Sequence, residues 1–187
     1  MYKNEVLVHV DVNGLGPLTM MLDTGTDPSA IDLATAAKIG VKRSTKGHQG
    51  SGGGTDKNPA FECKLTMVKL GGLTANNVAA AAIDLSKISE RMGRQIDGIL
   101  GHSLLNKRIV QFDYPHGVVR FLDKMPPPTA GSTTVSFRYR DNVLIDGLLI
   151  NGERLTANLD TGSGGGFQLA PKAVERLGLT EAARKAR

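Results

Sequence analysis

The first residues of the chain alternate between apolar and polar side chains. In EVLVHVDV, residues 5–12, every second side chain is apolar, which is the period of a β-strand with one buried face. NGLG, residues 13–16, is a turn signal, and PLTMML, residues 17–22, follows as a second strand. The pattern therefore predicts a hairpin whose second strand ends at the carboxylate of Asp23.

The pattern then predicts one short helix and several more strands. SAIDLATAAKIGV, residues 29–41, predicts a helix with Ser29 as its N-cap and Gly40 at its end. The glycine-rich residues 47–59 predict a loop or the tip of a hairpin. The later predictions are strands over 61–70 and 76–85, and a strand, a glycine turn, one helical turn and a hairpin over 95–123.

The beginning of the chain is repeated near its end. Residues 142–179 carry a strand, an NG turn, a strand, Asp-Thr-Gly and a helix, in the same order as residues 5–41. Asp160 thereby follows Asp23 by 137 residues. Nothing after Asp160 corresponds to DGILGHSLL, residues 97–105. We expect a mainly β protein with a complete lobe over residues 1–125, a linker over 126–136, and the first half of a second, similar lobe over 137–187.

Composition argues against several classes of function. The net charge is +5, but Lys and Arg are spread along the chain without interleaved aromatic residues, so no nucleic-acid partner is predicted. Cys63 is the only cysteine, and the four histidines lack ligand spacing, so no disulfide, metal or cofactor is predicted. No apolar run approaches the roughly 20 residues that a membrane-spanning helix needs.

The two Asp-Thr-Gly turns suggest a specific chemistry. Two carboxyl groups brought face to face cannot both ionise, so one stays protonated while the other is charged. Such a pair can share a water molecule. The charged member takes a proton from the water as it attacks a carbonyl, and the protonated member hydrogen-bonds the carbonyl oxygen. Asp23 and Asp160 would then hydrolyse amides without a metal or a covalent intermediate.

Two motifs carry a resemblance to a known family. LDTGTD, residues 22–27, resembles the apolar-Asp-Thr-Gly-small-Asp signature of the retropepsin-like aspartic proteases, and ILGHSLL, residues 99–105, resembles their second element. The similarity covers nearly the whole first repeat. It implies the acid-protease fold, a closed β-barrel lobe with short helices, and an aspartic endopeptidase that acts on peptides or proteins. Export is implied only because bacterial relatives of this kind are often exported.

The resemblance also implies a role for individual residues. Asp23 and Asp160 would be the catalytic carboxylates, and Thr24 and Thr161 would hydrogen-bond across to the opposite loop. The hydroxyls of Thr26 and Ser163 would reach the outer carboxylate oxygens. Gly25, Gly162 and Asp27 would contact the substrate backbone. Gly52, Gly53 and Gly54 would belong to a flap over the substrate. The chain departs from the family at Gly164, which matches Asp27, and at His102-Ser103, where retroviral members have Arg-Asn.

Other interpretations stay open. The chain could be a retropepsin-like binding or dimerisation module without proteolysis, and Asp23 alone could cap an Asx-turn. Ser103 does not fit a nucleophile elbow, because Leu105 stands where that motif needs glycine. Two pairings of carboxylates are possible. We expect Asp23 to meet Asp160 within a chain that continues past Arg187, and the alternative is a homodimer that joins two copies of Asp23.

Overall fold

The computed structural model describes residues 4–50 and 58–185. Its strands and helices are β1 (Leu7–Val12), β2 (Leu15–Leu22), β3 (Ala30–Asp32), α1 (Leu33–Lys38), β4 (His48–Gln49), β5 (Pro59–Leu70), β6 (Leu73–Ile83), α2 (Ser86–Met92), β7 (Gly98–Leu100), α3 (His102–Leu105), β8 (Ile109–Asp113), β9 (Val118–Leu122), β10 (Arg138–Tyr139), β11 (Val143–Ile150), β12 (Glu153–Asn158), α4 (Pro171–Arg176) and α5 (Thr180–Lys185).

Six strands of the first repeat close into a barrel. They follow the order β1-β2-β7-β3-β6-β5, and β1 also pairs with β5, which completes the ring. The neighbours pair antiparallel except at β2–β7 and β3–β6, which are parallel. The predicted mainly β fold with a closed barrel and short helices is therefore confirmed.

Aliphatic side chains fill the barrel. The inward positions of the first hairpin, Val10, Val12, Met20 and Leu22, are almost completely buried. Their burial removes apolar surface from water, which is the main favourable term in folding. The alternation read from residues 5–12 thus reflects a strand with one face in this core.

The first helix begins later than the pattern predicted. Ala30–Asp32 form β3, and α1 begins at Leu33 with Asp32 as its N-cap, so the prediction that Ser29 caps this helix is wrong. The reason is tertiary. Residues 30 and 31 pair with both β6 and β7, and this pairing outweighs the local helix preference.

The second repeat forms a smaller sheet of three strands, in the order β10-β11-β12. No residue of β11 or β12 is fully buried, in contrast to the first hairpin. Residues 126–136, between the barrel and this sheet, contain no helix or strand. In the part of the chain that the structure describes, no helix has the length and apolar character to cross a membrane.

The Asp32 cap provides a test of what stabilises the barrel. Its carboxylate is buried and accepts hydrogen bonds from the N–H groups of Ala34 (3.0 Å), Thr35 (3.1 Å) and Leu85 (3.2 Å). We expect Asp32→Ala to lower the free energy of unfolding by about 2–4 kcal/mol, because these N–H groups lose their acceptor. Urea denaturation measures this change. Asp84→Ala, which removes an exposed carboxylate from a similar turn, is the control and should cost much less.

Candidate active site

Asp23 lies at the end of β2, where the barrel holds its backbone and its side chain. Its N–H donates to the carbonyl of Leu100 at 3.0 Å, in continuation of the parallel pairing of β2 with β7. Its Oδ1 accepts from the N–H of Gly25 at 2.7 Å, and its Oδ2 accepts from the hydroxyl of Thr26 at 2.5 Å. The carboxylate is therefore buried with a hydrogen bond to each oxygen.

The segment after β7 supports the turn that follows Asp23. The N–H of His102 donates to the carbonyl of Thr26 at 2.8 Å, and the N–H of Gly101 donates to the Ser29 hydroxyl at 3.0 Å. Ser29, predicted as a helix cap, thus joins the segment after the Asp23 turn to the Gly101 turn. The turn cannot move without breaking contacts to the barrel.

Two threonines join this turn to its counterpart in the second repeat. The N–H of Thr24 donates to Oγ1 of Thr161, and the N–H of Thr161 donates to Oγ1 of Thr24, both at 3.1 Å. Each hydroxyl then donates to a carbonyl of the opposite half, Thr24 to Leu159 at 2.6 Å and Thr161 to Leu22 at 2.9 Å. These four reciprocal bonds relate the two turns by an approximate two-fold axis.

The two carboxyl groups face each other across this axis. A methyl group placed on Gly162 would lie 2.3 Å from Cγ of Asp23, and one placed on Gly25 would lie 2.8 Å from Cγ of Asp160. Only glycine leaves room for the opposite carboxyl group at these positions. The structure thus brings together Asp23 and Asp160 of one chain.

The environment of Asp160 favours its protonated form. Burial of the carboxyl group, the charge of Asp23 and a hydrogen bond with Asp23 together raise the pKa of Asp160 to about 6. The N–H groups of Gly162 and Ser163 act in the opposite direction. Although the residue as a whole is exposed, its carboxyl group lies against Gly25. Between the ordinary pKa of an aspartate and about 6, Asp160 therefore stays protonated beside Asp23.

The hydroxyl predicted at the second turn does not bond in the expected way. Thr26 reaches Asp23, but within the described residues the Ser163 hydroxyl has no hydrogen bond to Asp160, so this expectation is corrected. Backbone N–H groups serve Asp160 instead. The difference follows from the surroundings: the first turn is fixed by β7, whereas no described strand lies beside the second.

Asp27 is bonded to the second half of the chain. Its Oδ2 accepts a hydrogen bond from the Tyr139 hydroxyl at 2.8 Å, and the Tyr139 ring stacks on His102 with centroids 3.6 Å apart. Tyr139 was missed from the sequence. In sequence, Tyr139 precedes Asp160 by as many residues as Tyr2 precedes Asp23. This matching position in the repeat was the signal that could have identified Tyr139. Tyr139 and His102 supply contacts in the region where retroviral members have an arginine.

Glu5 is a second acid of the first half that lies close to the second half. The residue is 1% exposed; its Oε1 pairs with Arg91 at 2.9 Å, and its Oε2 has no hydrogen-bond partner within the described residues. Burial raises the pKa of Glu5, and the charge of Arg91 and the nearby backbone of Gly164 offset only part of this rise. Gly164 matches Asp27 in the repeat, so both halves use this position to contact the other half. Glu5 lies two residues before β1, and an acid at the start of the alternating segment was the missed signal.

The predicted flap is described only at its base. β4 pairs with the start of β5, and the N–H of Gly50 donates to the carbonyl of Asn58 at 3.2 Å. Gly52, Gly53 and Gly54 lie outside the described residues.

Comparison with known families agrees with this geometry. The family model described as Aspartyl protease matches residues 8–104, just over half of the 187 residues. The chain belongs to the aspartyl protease family. The matched segment contains Asp23 and the Gly101 turn, and it ends before Asp160.

Two solved structures in this group are similar to the chain. A retropepsin-like aspartic protease from Rickettsia conorii is 22% identical, with a TM-score of 0.44 over 58% of this chain and 76% of that chain. The retroviral protease-like domain of Ddi1 from Leishmania major is 19% identical, with a TM-score of 0.43 over 64% of this chain and 90% of that chain. No curated protein matches the sequence.

The described residues contain no group of three or more His, Cys, Asp or Glu side chains that could hold a metal ion.

The raised pKa of Asp160 predicts a pH-dependent stability. A carboxyl group whose pKa rises on folding destabilises the folded state once the group is ionised. This destabilisation is absent below the ordinary pKa of 3.8, and it is complete above about 6. Asp160→Asn removes the titration, so its melting temperature should match the unsubstituted chain near pH 4 and exceed it above pH 6.

Thermal unfolding from pH 4 to pH 8 measures this difference. Asp146→Asn is the control, because salt bridging to Arg138 and a hydrogen bond from Thr156 lower the pKa of Asp146 to about 2. A constant difference between Asp160→Asn and the unsubstituted chain would contradict the proximity of the two carboxyl groups.

Proposed function

We propose that the protein is an aspartic endopeptidase that hydrolyses peptide bonds through a water molecule activated by Asp23 and Asp160. The observation that carries this proposal is the reciprocal hydrogen bonding of Thr24 and Thr161, because it holds the two carboxyl groups face to face. Membership of the aspartyl protease family supports the same reaction.

The two carboxyl groups differ in a way that divides the roles. Asp23 accepts hydrogen bonds at both oxygens, which suits a charged general base. Asp160 has a raised pKa and supplies the proton. Asp23 takes a proton from the water molecule as the water oxygen attacks the peptide carbonyl. Asp160 donates its proton to the carbonyl oxygen. The tetrahedral intermediate then expels the amine, which leaves with a proton from the pair.

The substrate is an extended peptide. Gly25 and Gly162 leave space above the carboxyl groups and offer their carbonyls to the peptide backbone. The paired strands β4 and β5 form the base of the proposed flap. Asp27 remains a proposed substrate contact through Oδ1, since Oδ2 accepts from Tyr139.

A second candidate is a binding module without proteolysis. The observation that favours it is the edge of β12, which the described residues leave unpaired next to Asp160. A site with an unpaired strand edge beside it can still bind a peptide. It excludes water less well, however, and catalysis depends on that exclusion.

Substitution of each aspartate tests the proposed reaction. Peptide cleavage at acidic pH should fall by about 100-fold or more in both Asp23→Asn and Asp160→Asn, because each carboxyl group performs an acid–base step. The specific rate should not change on dilution, since both groups belong to one chain. Asp97→Asn is the control, because that carboxylate bonds to Thr19 and Thr35 within the barrel.

Three outcomes would contradict the proposal. If the unsubstituted chain cleaves no peptide, the binding module is favoured. Activity that survives in Asp160→Asn and is lost on dilution would assign the reaction to a dimer that joins two copies of Asp23. Equal activity in all variants would point to a contaminating protease.

The pH–rate profile tests the division of roles. The rate should fall as pH rises through about 6, where Asp160 loses its proton. Thr26→Ala removes a hydrogen bond to the charged form of Asp23, so the acid limb should move to higher pH. Thr26→Ser and Ser163→Ala are matched controls: the first keeps the hydroxyl, and the second removes one that, within the described residues, has no hydrogen bond to the carboxyl pair. An identical shift in Ser163→Ala would refute the asymmetric assignment.

A further inference from the structure

Glu5 is an acid that the proposed reaction does not use, although it lies beside the carboxyl pair. The N–H of Leu22 donates to the carbonyl of Val6 at 2.8 Å, which extends the antiparallel pairing of β1 with β2. One residue further, the same register puts Glu5 opposite Asp23. Directly opposite residues of two paired strands project to the same face of the sheet, so their side chains are neighbours. Glu5 and Asp23 are thus two acids on one face.

Helix α2 covers this face and supplies a cation. Met92 of α2 and Met21 of β2 belong to one buried apolar cluster. Arg91 of the same helix pairs with Oε1 of Glu5 at 2.9 Å. The Glu5 side chain is 2% exposed, whereas that of Arg91 is 55% exposed, so the acid is buried while its cation reaches water. A positive charge therefore stands on the side of Glu5 that faces α2.

In the part of the chain that the structure describes, three groups act on the Glu5 carboxyl group. They are Arg91 of α2, Asp23 at the end of β2 and the backbone of Gly164 in the second half. Burial raises the pKa of Glu5 from its ordinary value of 4.5. Arg91 and Gly164 offset part of this rise, and the charge of Asp23 adds to it. Glu5 and Asp23 therefore each oppose the ionisation of the other.

A role that is only structural does not account for an acid at this position. Like charges on directly opposite residues destabilise a pair of strands, and a buried carboxylate oxygen without a partner costs further free energy. Oε2 of Glu5 is such an oxygen among residues 4–50 and 58–185. Glutamine has the same shape and would avoid the repulsion. A buried acid beside reactive carboxyl groups is instead typical of sites that adjust proton affinity.

The charge of Glu5 bears on the last proton of the carboxyl pair. The pair works with one proton, which Asp23 and Asp160 share. While that proton is present, the negative charge of the pair can move away from Glu5. Once the proton is lost, Asp23 is charged beside Glu5 and also faces a charged Asp160, so a charged Glu5 opposes the loss. Arg91 limits this effect, because its positive charge offsets part of the charge on Glu5.

We propose that Glu5 is a positioning residue for the proton of the carboxyl pair: its charge, partly offset by Arg91, keeps the proton on the pair as the pH rises. Glu5 acts through Asp23 and not on the substrate. The inference rests on the proposed function, because it concerns the same two carboxyl groups. It adds a third acid, which widens the pH range over which the pair holds a single proton.

Titration of the Asp160 carboxyl group by carbon-13 NMR tests this role in the full chain, with Asp160→Asn to assign the signal. In Glu5→Gln the titration should move to lower pH by about 0.5 unit or more, because a negative charge is lost and Arg91 remains. In the double variant Glu5→Gln/Arg91→Gln it should move back towards the unsubstituted value, since the remaining positive charge is removed too. Loss of a merely structural contact would not give this reversal.

Glu153→Gln is the matched control. Glu153 pairs with Arg176 at 2.8 Å, and both side chains are exposed. It lies at the start of β12, whereas Asp160 follows the end of that strand, and its removal leaves an arginine in the same way as Glu5→Gln does. The titration of Asp160 should therefore be unchanged in this variant.

A reciprocal variant keeps the test decisive even if Glu5→Gln fails to fold. Asp23→Asn removes the charge beside Glu5 and keeps the shape of the side chain. Glu5 should then titrate at lower pH than in the unsubstituted chain, because the charge of Asp23 opposes its ionisation. An unchanged titration of Glu5 in this variant would refute the proposal.

Three further results would overturn the proposal. They are an unchanged titration of Asp160 in Glu5→Gln, an equal shift in Glu5→Gln and the double variant, and an equal shift in Glu153→Gln. Peptide cleavage separates this inference from the proposed reaction. If the chain cleaves no peptide but the titrations behave as expected, the reaction fails and the role of Glu5 stands. If both aspartate variants lose cleavage while Glu5→Gln leaves Asp160 unshifted, the reaction stands and the role of Glu5 fails.

Discussion

The candidate site depends on one exchange of hydrogen bonds, in which Thr24 and Thr161 each donate to and accept from the other's turn. Such an exchange needs two turns of the same conformation, related by an approximate two-fold axis. The internal repeat supplies these turns within a single chain. Because the four bonds join backbone and side chain on both sides, they set the distance between the halves more strictly than apolar packing alone would. The facing positions of Asp23 and Asp160 follow from this geometry.

The two halves are alike in backbone but different in their surroundings, and the chemistry follows from the difference. Asp23 lies between two strands and has Thr26 as a donor. Asp160 follows an edge strand and relies on backbone N–H groups. Two identical carboxyl groups would share a proton equally. Here Asp23 accepts a hydrogen bond at each oxygen, which favours its charged form, and the raised pKa of Asp160 leaves the proton on the second half.

The sequence predicted the parts of the fold that depend on short-range alternation of apolar and polar residues or on a repeated motif. Alternation over residues 5–12 and the repeat of Asp-Thr-Gly were sufficient to predict the first hairpin and the two turns. The helix start at Leu33 was not predictable in this way, because residues 30 and 31 pair in β3 with partners 51 and 67 to 69 residues away in sequence. The same limit applies to Tyr139 and Glu5. Their partners are distant in sequence, and neither residue belongs to a motif.

Tyr139 and Glu5 also explain how an asymmetric pair of halves stays aligned. In the first half the position after the turn is Asp27, and the second half reaches it with the Tyr139 hydroxyl. In the second half the matching position is Gly164, which has no side chain, and the first half reaches its backbone with the Glu5 carboxylate. In both contacts the first half supplies the carboxylate and the second half the donor group. The junction therefore has a polar contact at each of the two matching positions, although the second half has glycine where the first has Asp27 and only one half closes a barrel.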